Sequence, residues 1–115
     1  MSSASPFASP SAHPSIFRIN RFAVPAASLD IFSRQLAYVH GIFSDLPGLL
    51  QQYILTQAGG AAEFNVVTFL EWENADAMAA AHEVVQKTFA ADGFDPKKMV
   101  DELGIRTDQG FYRKV

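Results

Sequence analysis

The strands predicted from this sequence are apolar on both faces, and this feature constrains the fold more than any other. Alternate side chains of an extended chain point to opposite faces. The segment at residues 62–73 (AAEFNVVTFLEW) directs Phe64, Val66, Leu70 and Trp72 to one face, and Val67 and Phe69 to the other. Helices can cover only one face of such a sheet, so something else must cover the second. In a chain of 115 residues we expect a second copy, which gives a homodimer that packs through its sheet faces.

Hydrophobic periodicity predicts the element order strand–helix–strand–strand–helix–strand, with a short third helix before the last strand. The predicted strands are residues 16–24, 49–57, 64–72 and 105–115. The predicted helices run from a Ser28 cap to about residue 45, from an Asn74 cap to about residue 91, and from Asp95-Pro96 to Gly104. Gly59-Gly60 is the predicted hairpin tip and Gly110 a predicted bulge. Right-handed crossovers then give a ferredoxin-like α+β sandwich, βαββαβ, with a four-stranded antiparallel sheet.

Composition sets the domain count and excludes several classes of function. Residues 1–15 are mostly Ser, Pro and Ala and carry no Asp, Glu, Lys or Arg, which predicts a disordered tail before a single domain at 16–115. The tail lacks the basic start of a secretory signal, and no stretch reaches the roughly 20 apolar residues of a membrane helix. A net charge of −3 argues against nucleic acid as a partner, and the absence of Cys fits a reducing cytoplasm.

Three polar side chains are candidates for catalysis in a cleft between the helices and the sheet. His40 and His82 lie on the predicted apolar stripes of the two long helices, and Asn20 lies in the middle of the first strand. A neutral His in an apolar cleft can accept a proton from an acidic substrate. An Asn beside it can hydrogen-bond a developing oxyanion. The alternatives are that each His is a core residue bonded to a backbone carbonyl, and that Asn20 bonds across a strand edge.

Five further residues are candidates for substrate binding. These are Trp72, Phe22, Arg18, Tyr38 and Met78. Trp72 can stack on a flat ligand or pack in the core, and Tyr38 can donate to a ligand oxygen or face solvent. Arg18, like Arg21, has a structural alternative, an ion pair with Glu71 or Glu73 on a neighbouring strand.

Motifs for cofactors and metals are absent from the sequence. There is no glycine-rich nucleotide loop, no GxSxG and no HExxH. With no Cys, and with His40 and His82 on different helices lacking a carboxylate at ligand spacing, we predict neither a metal site nor a cofactor.

The sequence resembles the antibiotic biosynthesis monooxygenase family of dimeric α/β barrels. The resemblance is carried by FRINRFAVP (17–25), LPGLLQQYIL (46–55), FNVVTFLEWENADAMAAA (64–81) and LGIRTDQGFY (103–112). It implies a homodimer that oxidises polycyclic phenols with O2 and needs neither flavin nor metal. Haem-degrading relatives use an Asn on strand one, matched here by Asn20, and a Trp and a later His on helix two. No Trp follows Trp72, and His82 comes early in its helix, so haem degradation is disfavoured.

Two hypotheses of different class follow. The first is a cofactor-independent monooxygenase acting on a small aromatic or phenolic molecule, with His82 or His40 as base, Asn20 as hydrogen-bond donor, and Trp72 and Phe22 as walls. The second is a non-catalytic small-molecule-binding or stress-response protein of the same fold, in which both His are structural. An open cavity lined by the His residues and Asn20 favours the first.

Overall fold

A computed structural model describes residues 14–115 of the chain, so most of the predicted N-terminal tail lies outside the described residues. The four strands are β1 (Ile16–Ala23), β2 (Leu49–Thr56), β3 (Val66–Trp72) and β4 (Arg106–Tyr112). The three α-helices are α1 (Leu29–Phe43), α2 (Ala75–Asp92) and α3 (Pro96–Glu102), and a 3-10 turn at Ala26–Ser28 precedes α1. The strands form one antiparallel sheet in the order β2-β3-β1-β4, which confirms the predicted ferredoxin-like α+β sandwich.

Local sequence signals explain where most elements begin and end. Asn74 caps α2 by accepting a hydrogen bond from the backbone N–H of Ala77 at 2.8 Å, as predicted. Asp95 caps α3 in the same way through Lys98. Ser28 is the N-cap residue of α1, as predicted, but its hydroxyl donates to the carbonyl oxygen of Leu103 at 3.0 Å and makes no capping hydrogen bond to the helix.

The sheet irregularity lies in β2 and not, as predicted, at Gly110. The pairing of β2 with β3 shifts between Leu49 and Gln51, which leaves Leu50 bulged and exposed. Gly110 pairs in register with Ile19. A Cβ at Gly110 would lie 2.7 Å from the hydroxyl of Tyr112, so the glycine makes room for a ring folded over it.

The two faces of the sheet have different partners. The helices cover the face that carries Val66, Thr68, Leu70 and Trp72, and all four side chains are buried. The opposite face, which we call the outer face, carries Val67 and Phe69, as the alternation predicts. Phe64 precedes β3, and its ring lies 5.0 Å from the guanidinium of the outer-face residue Arg21. The prediction that Phe64 shares the helix-facing side with Val66 was therefore wrong.

Beneath the helices the core is divided into two clusters. The first cluster joins the start of α1 and α3 to one end of the sheet, and its buried members are Val24, Phe32, Leu36, Val66 and Ile105. The second cluster joins the end of α1 and the start of α2 to the other end of the sheet, and its buried members are Ile16, Leu70, Trp72 and Ala81. The middle of the helix-facing sheet surface separates these clusters, and it is there that the polar residues lie.

Candidate active site

A row of polar side chains crosses the sheet between the two core clusters. Asn20 on β1 pairs with Thr68 on β3 and with Gln109 on β4, so the three side chains share the helix-facing side. Nδ2 of Asn20 donates to Oγ1 of Thr68 at 3.2 Å. Nε of Arg18 donates to Oδ1 of Asn20 at 3.4 Å, and its NH2 group donates to Oε1 of Gln109 at 2.8 Å. We call these four residues the polar row.

The position of Asn20 in the row leaves one of its hydrogen-bonding groups free for a ligand. Its amide has two N–H groups, and Thr68 accepts from one of them. Thr68 itself is only 2% exposed, so the acceptor that orients Asn20 is fixed in the core. An amide held in this way can present its second N–H to an oxyanion.

His40 is a buried polar residue of α1, and its backbone carbonyl lies beside Gln52 on β2. Along α1, His40 follows Leu36 of the first cluster and precedes Phe43, which packs against the second cluster. Along β3, Thr68 likewise follows Val66 of the first cluster and precedes Leu70 of the second. The imidazole is buried and meets the ring of Phe43 edge-on at 5.8 Å. Burial lowers the pKa of His40 below its usual value of 6.5 because it disfavours the charged form. His40 is therefore neutral at pH 7 and able to accept a proton.

His82 does not lie in the core. Its side chain is exposed, and the buried positions of α2 are Ala81, Val85 and Phe89. The predicted placement of His82 on the sheet-facing stripe was therefore wrong by one residue. Ala81 takes that place because a small side chain lets α2 approach Trp72 and Leu70 closely.

Two of the predicted substrate walls pack within the core clusters. Trp72 is 2% exposed, and Phe43 meets it edge-on at 5.9 Å, so it fills the second cluster as its packing alternative proposed. Met78 packs beside it and is partly exposed. Phe22 is also partly exposed, and its ring meets Phe32 in the first cluster at 4.9 Å. Phe22 and Met78 thus flank the polar row from opposite clusters.

Tyr38 lies away from the polar row, near the end of α2. Its hydroxyl donates to a carboxylate oxygen of Asp92, and its ring lies 5.3 Å from that of Phe94. The hydrogen bond to Asp92 raises the pKa of Tyr38 above 10.0, because that bond requires the protonated phenol. Tyr38 therefore joins α1 to the end of α2, and its place in the fold gives no support to the predicted contact with a ligand oxygen.

The predicted ion pairs of the two strand arginines were wrong. Arg21 pairs with Asp108 on β4, and Arg18 makes no ion pair among residues 14–115. Glu71 is buried on the outer face, where it accepts a hydrogen bond from Nε2 of Gln51 at 2.6 Å. The register explains the error, because it sets Glu71 opposite Phe17.

Sequence reasoning missed three polar residues near the site. Thr68 and Gln109 belong to the polar row, and the signal for Thr68 was a lone polar residue in phase with buried Val66 and Leu70. The third is Gln52 on β2, whose Nε2 donates to the carbonyl oxygen of His40 at 3.1 Å and to Oγ of Ser44 at 2.8 Å. The Oε1 atom of Gln52 is buried and has no hydrogen-bond partner in the described part of the chain.

The described residues hold no group of three or more His, Cys, Asp or Glu side chains that could bind a metal ion. No helix within residues 14–115 has both the length and the apolar character that crossing a membrane requires.

These observations define a ferredoxin-like α+β protein with a partly exposed polar row on the helix-facing side of its sheet. Solved structures of monooxygenase type share this fold, which confirms the resemblance to the antibiotic biosynthesis monooxygenase family at the level of the fold. No protein-family model matches the sequence, and a search of curated proteins finds no significant match.

Three solved structures show the similarity. A provisionally assigned monooxygenase from Shewanella loihica has a TM-score of 0.67 at 20% identity, over 88% of this chain and 94% of that one. SnoaB, a cofactor-independent oxygenase from Streptomyces nogalater, has a TM-score of 0.66 at 20% identity, over 89% and 94%. A heme-degrading protein from Mycobacterium tuberculosis has a TM-score of 0.59 at 19% identity, over 88% and 91%. At these identities the similarity establishes a shared fold.

Proposed function

We propose that this protein is a cofactor-independent monooxygenase that oxidises a small aromatic or phenolic substrate, such as a polyketide or quinol, with O2. The observation that carries the proposal is the polar row, set between two apolar clusters of a core that also holds the buried, neutral His40. A site of this kind offers a base, hydrogen-bond donors and an apolar surround, which is what an oxidation driven by the substrate's own electrons needs. SnoaB, of the same fold, is described as a cofactor-independent oxygenase.

His40 is the base in this proposal. It accepts a proton from the substrate carbon or hydroxyl and leaves an enolate or phenolate, whose oxygen takes a hydrogen bond from the free N–H of Asn20. The anion transfers electrons to O2, and a carbon–oxygen bond forms to give a peroxide. The proton returns from His40 to the peroxide, and loss of water then leaves the carbonyl. An activated methylene and one molecule of dioxygen thus give one carbonyl group and one water, so the substrate is the only reductant.

A second function, non-catalytic binding of a small molecule, is favoured by a separate observation. Trp72 is 2% exposed and His82 faces solvent, so two of the residues predicted to form the site do not open towards a ligand in the cleft. A protein of this kind would use Phe22, Met78 and the polar row for binding alone.

The proposed enzyme is a homodimer that packs through its outer sheet faces. On that face the rings of Phe17 and Phe69 lie 5.4 Å apart, and those of Phe69 and Tyr53 lie 5.9 Å apart, so an aromatic band crosses three strands. Tyr53 and Leu55 are each 51% exposed in the single chain. An exposed apolar surface of this extent is typical of an interface. Light scattering should therefore report twice the 12.6 kDa of one chain, and stable particles of one chain's mass would contradict the dimer.

Oxygen uptake tests the oxygenase. The purified protein is mixed with 1,4-dihydroxynaphthalene or with anthrone, and heat-inactivated protein corrects for spontaneous oxidation. We expect His40→Ala and Asn20→Ala each to lower kcat/KM by about 100-fold, the usual contribution of a general base or an oxyanion donor. His82→Ala is the matched control and should retain full activity because its side chain is exposed. Binding of these molecules without protein-dependent oxygen uptake would instead support the non-catalytic protein.

A further inference from the structure

Arg18 differs from three other arginines of the described chain in the chemistry of its partners. Arg21, Arg34 and Arg106 each form an ion pair with a carboxylate. The guanidinium of Arg18 instead donates to two neutral amide oxygens, those of Asn20 and Gln109. Its charge therefore has no anionic partner among residues 14–115.

The surroundings of Arg18 remove part of the water around this unpaired charge. Its nearest neighbours across the sheet are Leu70, which is 2% exposed, and Phe111, whose ring centroid lies 5.7 Å from the guanidinium carbon. The acidic residues of the adjacent strands, Glu71 and Asp108, lie on the outer face and not beside it. Burial lowers the pKa of Arg18, as expected when a cation loses water without gaining an anion.

The geometry of Arg18 suits recognition of an oxyanion. A guanidinium has five N–H donors in a planar fork, and the recorded hydrogen bonds of Arg18 occupy two of its three nitrogen atoms. Fork-like donation to a carboxylate is among the stronger hydrogen-bonding arrangements in proteins. The exposed ring of Phe111 beside the guanidinium offers an apolar surface on which a flat ligand can rest.

We propose that Arg18 is the anion-binding residue of the polar row, and that the ligand is an aromatic molecule with an anionic oxygen, either a carboxylate or an ionised phenol. The inference that the ligand binds at this place rests on the proposed function. The inference that the ligand is negatively charged rests on the neutral hydrogen-bond partners of Arg18. An anionic oxygen at Arg18 places the ligand's ring over β1 and β4, next to Asn20. The chain's net charge is −3, so the attraction is local to this side chain.

Equilibrium binding under argon tests the proposal without any turnover. The probes are 2-naphthoate and its uncharged counterpart 2-naphthamide, measured by titration calorimetry at pH 7. We expect the acid to bind at least about tenfold more tightly, which is the lower range for a hydrogen-bonded charge. Arg18→Gln should abolish the difference, and Arg18→Lys should retain part of it because the charge is kept. Arg21→Gln is the matched control, since Arg21 lies on the outer face with Asp108.

A second probe distinguishes the two kinds of oxyanion. 4-Nitrophenol absorbs differently in its ionised form, so its apparent pKa can be read in the presence of protein. If the wild-type protein lowers the pKa of 4-nitrophenol and Arg18→Gln does not, the site binds a phenolate. If the protein prefers 2-naphthoate over 2-naphthamide but leaves the pKa of 4-nitrophenol unchanged, the site binds a carboxylate. Any of three results would overturn the proposal. The first is equal binding of 2-naphthoate and 2-naphthamide together with an unshifted pKa of 4-nitrophenol. The others are an unchanged anion preference in folded Arg18→Gln, and no binding of any probe. Anion binding without oxygen uptake would instead reject the oxygenase and leave this inference standing.

Discussion

Nδ2 of Asn20 donates a hydrogen bond of 3.2 Å to Oγ1 of Thr68, and this contact joins the two central strands beneath the helices. The hydroxyl is buried in the core, while the amide is partly exposed. The buried residue therefore fixes the direction in which the accessible one can donate. In the proposed enzyme Thr68 acts as a positioning residue, and Asn20 is the group that would touch the substrate.

Replacing Thr68 with Val tests this relationship. The change keeps the shape of the side chain and removes the acceptor for Asn20, so we expect a loss of about 1–3 kcal/mol in the free energy of unfolding. Urea denaturation measures the loss. Thr107→Val is the control, because Thr107 is an exposed strand residue and its substitution should change stability by less than about 0.5 kcal/mol. A Thr68→Val protein as stable as the wild type, with unchanged activity, would show that Asn20 is oriented by other contacts.

His40 should make stability depend on pH. Its folded-state pKa is lowered below 6.5 by burial, so between these two pKa values the unfolded chain binds a proton that the folded chain does not. Stability from this group is therefore full above the unfolded pKa and falls as pH drops below 6.5, until the folded pKa is reached. The slope in that window cannot exceed about 1.4 kcal/mol per pH unit, the limit for one proton.

Urea denaturation of wild type, His40→Gln and His82→Gln between pH 5 and 8 measures this effect. Only His40→Gln should flatten the profile, because the imidazole of His40 is buried on folding whereas that of His82 remains exposed to water. The same curve in all three proteins would mean that His40 is solvated in the folded state.

Gly48 should not tolerate a side chain. Its φ angle is +86°, which favours glycine, and a Cβ there would lie 2.6 Å from the Cβ of Ala77 on α2. We expect Gly48→Ala to cost about 2–4 kcal/mol, since left-handed backbone strain and overpacking add. Thermal denaturation gives the comparison with Gly59→Ala, where a Cβ meets no atom within 4 Å. Equal melting temperatures for the two variants would contradict the close approach of α2.

Leu55 should be essential for the proposed dimer. Leu55 pairs with Val67 on the outer face and is 51% exposed in the single chain, so a lysine there would place a charge in the interface. We expect Leu55→Lys to remain folded and to scatter light as a single chain at micromolar concentration. Ile31→Lys is the control, because Ile31 is 49% exposed on α1 and away from the outer face. An unchanged mass for Leu55→Lys would place the contact elsewhere.

Sequence periodicity predicted the element order and the faces of β3, because both depend on local alternation of apolar side chains. Val67 and Phe69 do point away from the helices, and the Asn74 cap forms as expected. These features need no knowledge of which strands become neighbours. The same is true of Asn20, which is in phase with the helix-facing side of β1.

The failures have two physical origins. His82 and Ala81 both fit a helical spacing from Met78, and only packing against the sheet selects the smaller residue. The ion-pair predictions failed because register depends on all four strands at once. Arg21 lies opposite both Val67 and Asp108, and the carboxylate on β4 became its partner. Local pattern cannot supply that information.

In the proposed function, the division of the core separates most of the residues that hold the fold together from Asn20 and Arg18, which would contact a ligand. Each end of the molecule is closed by its own set of apolar side chains, and the amide of Asn20 and the guanidinium of Arg18 lie between these two ends. New ligand preferences can therefore arise by exchanging the residues of this middle band, with each apolar end left unchanged.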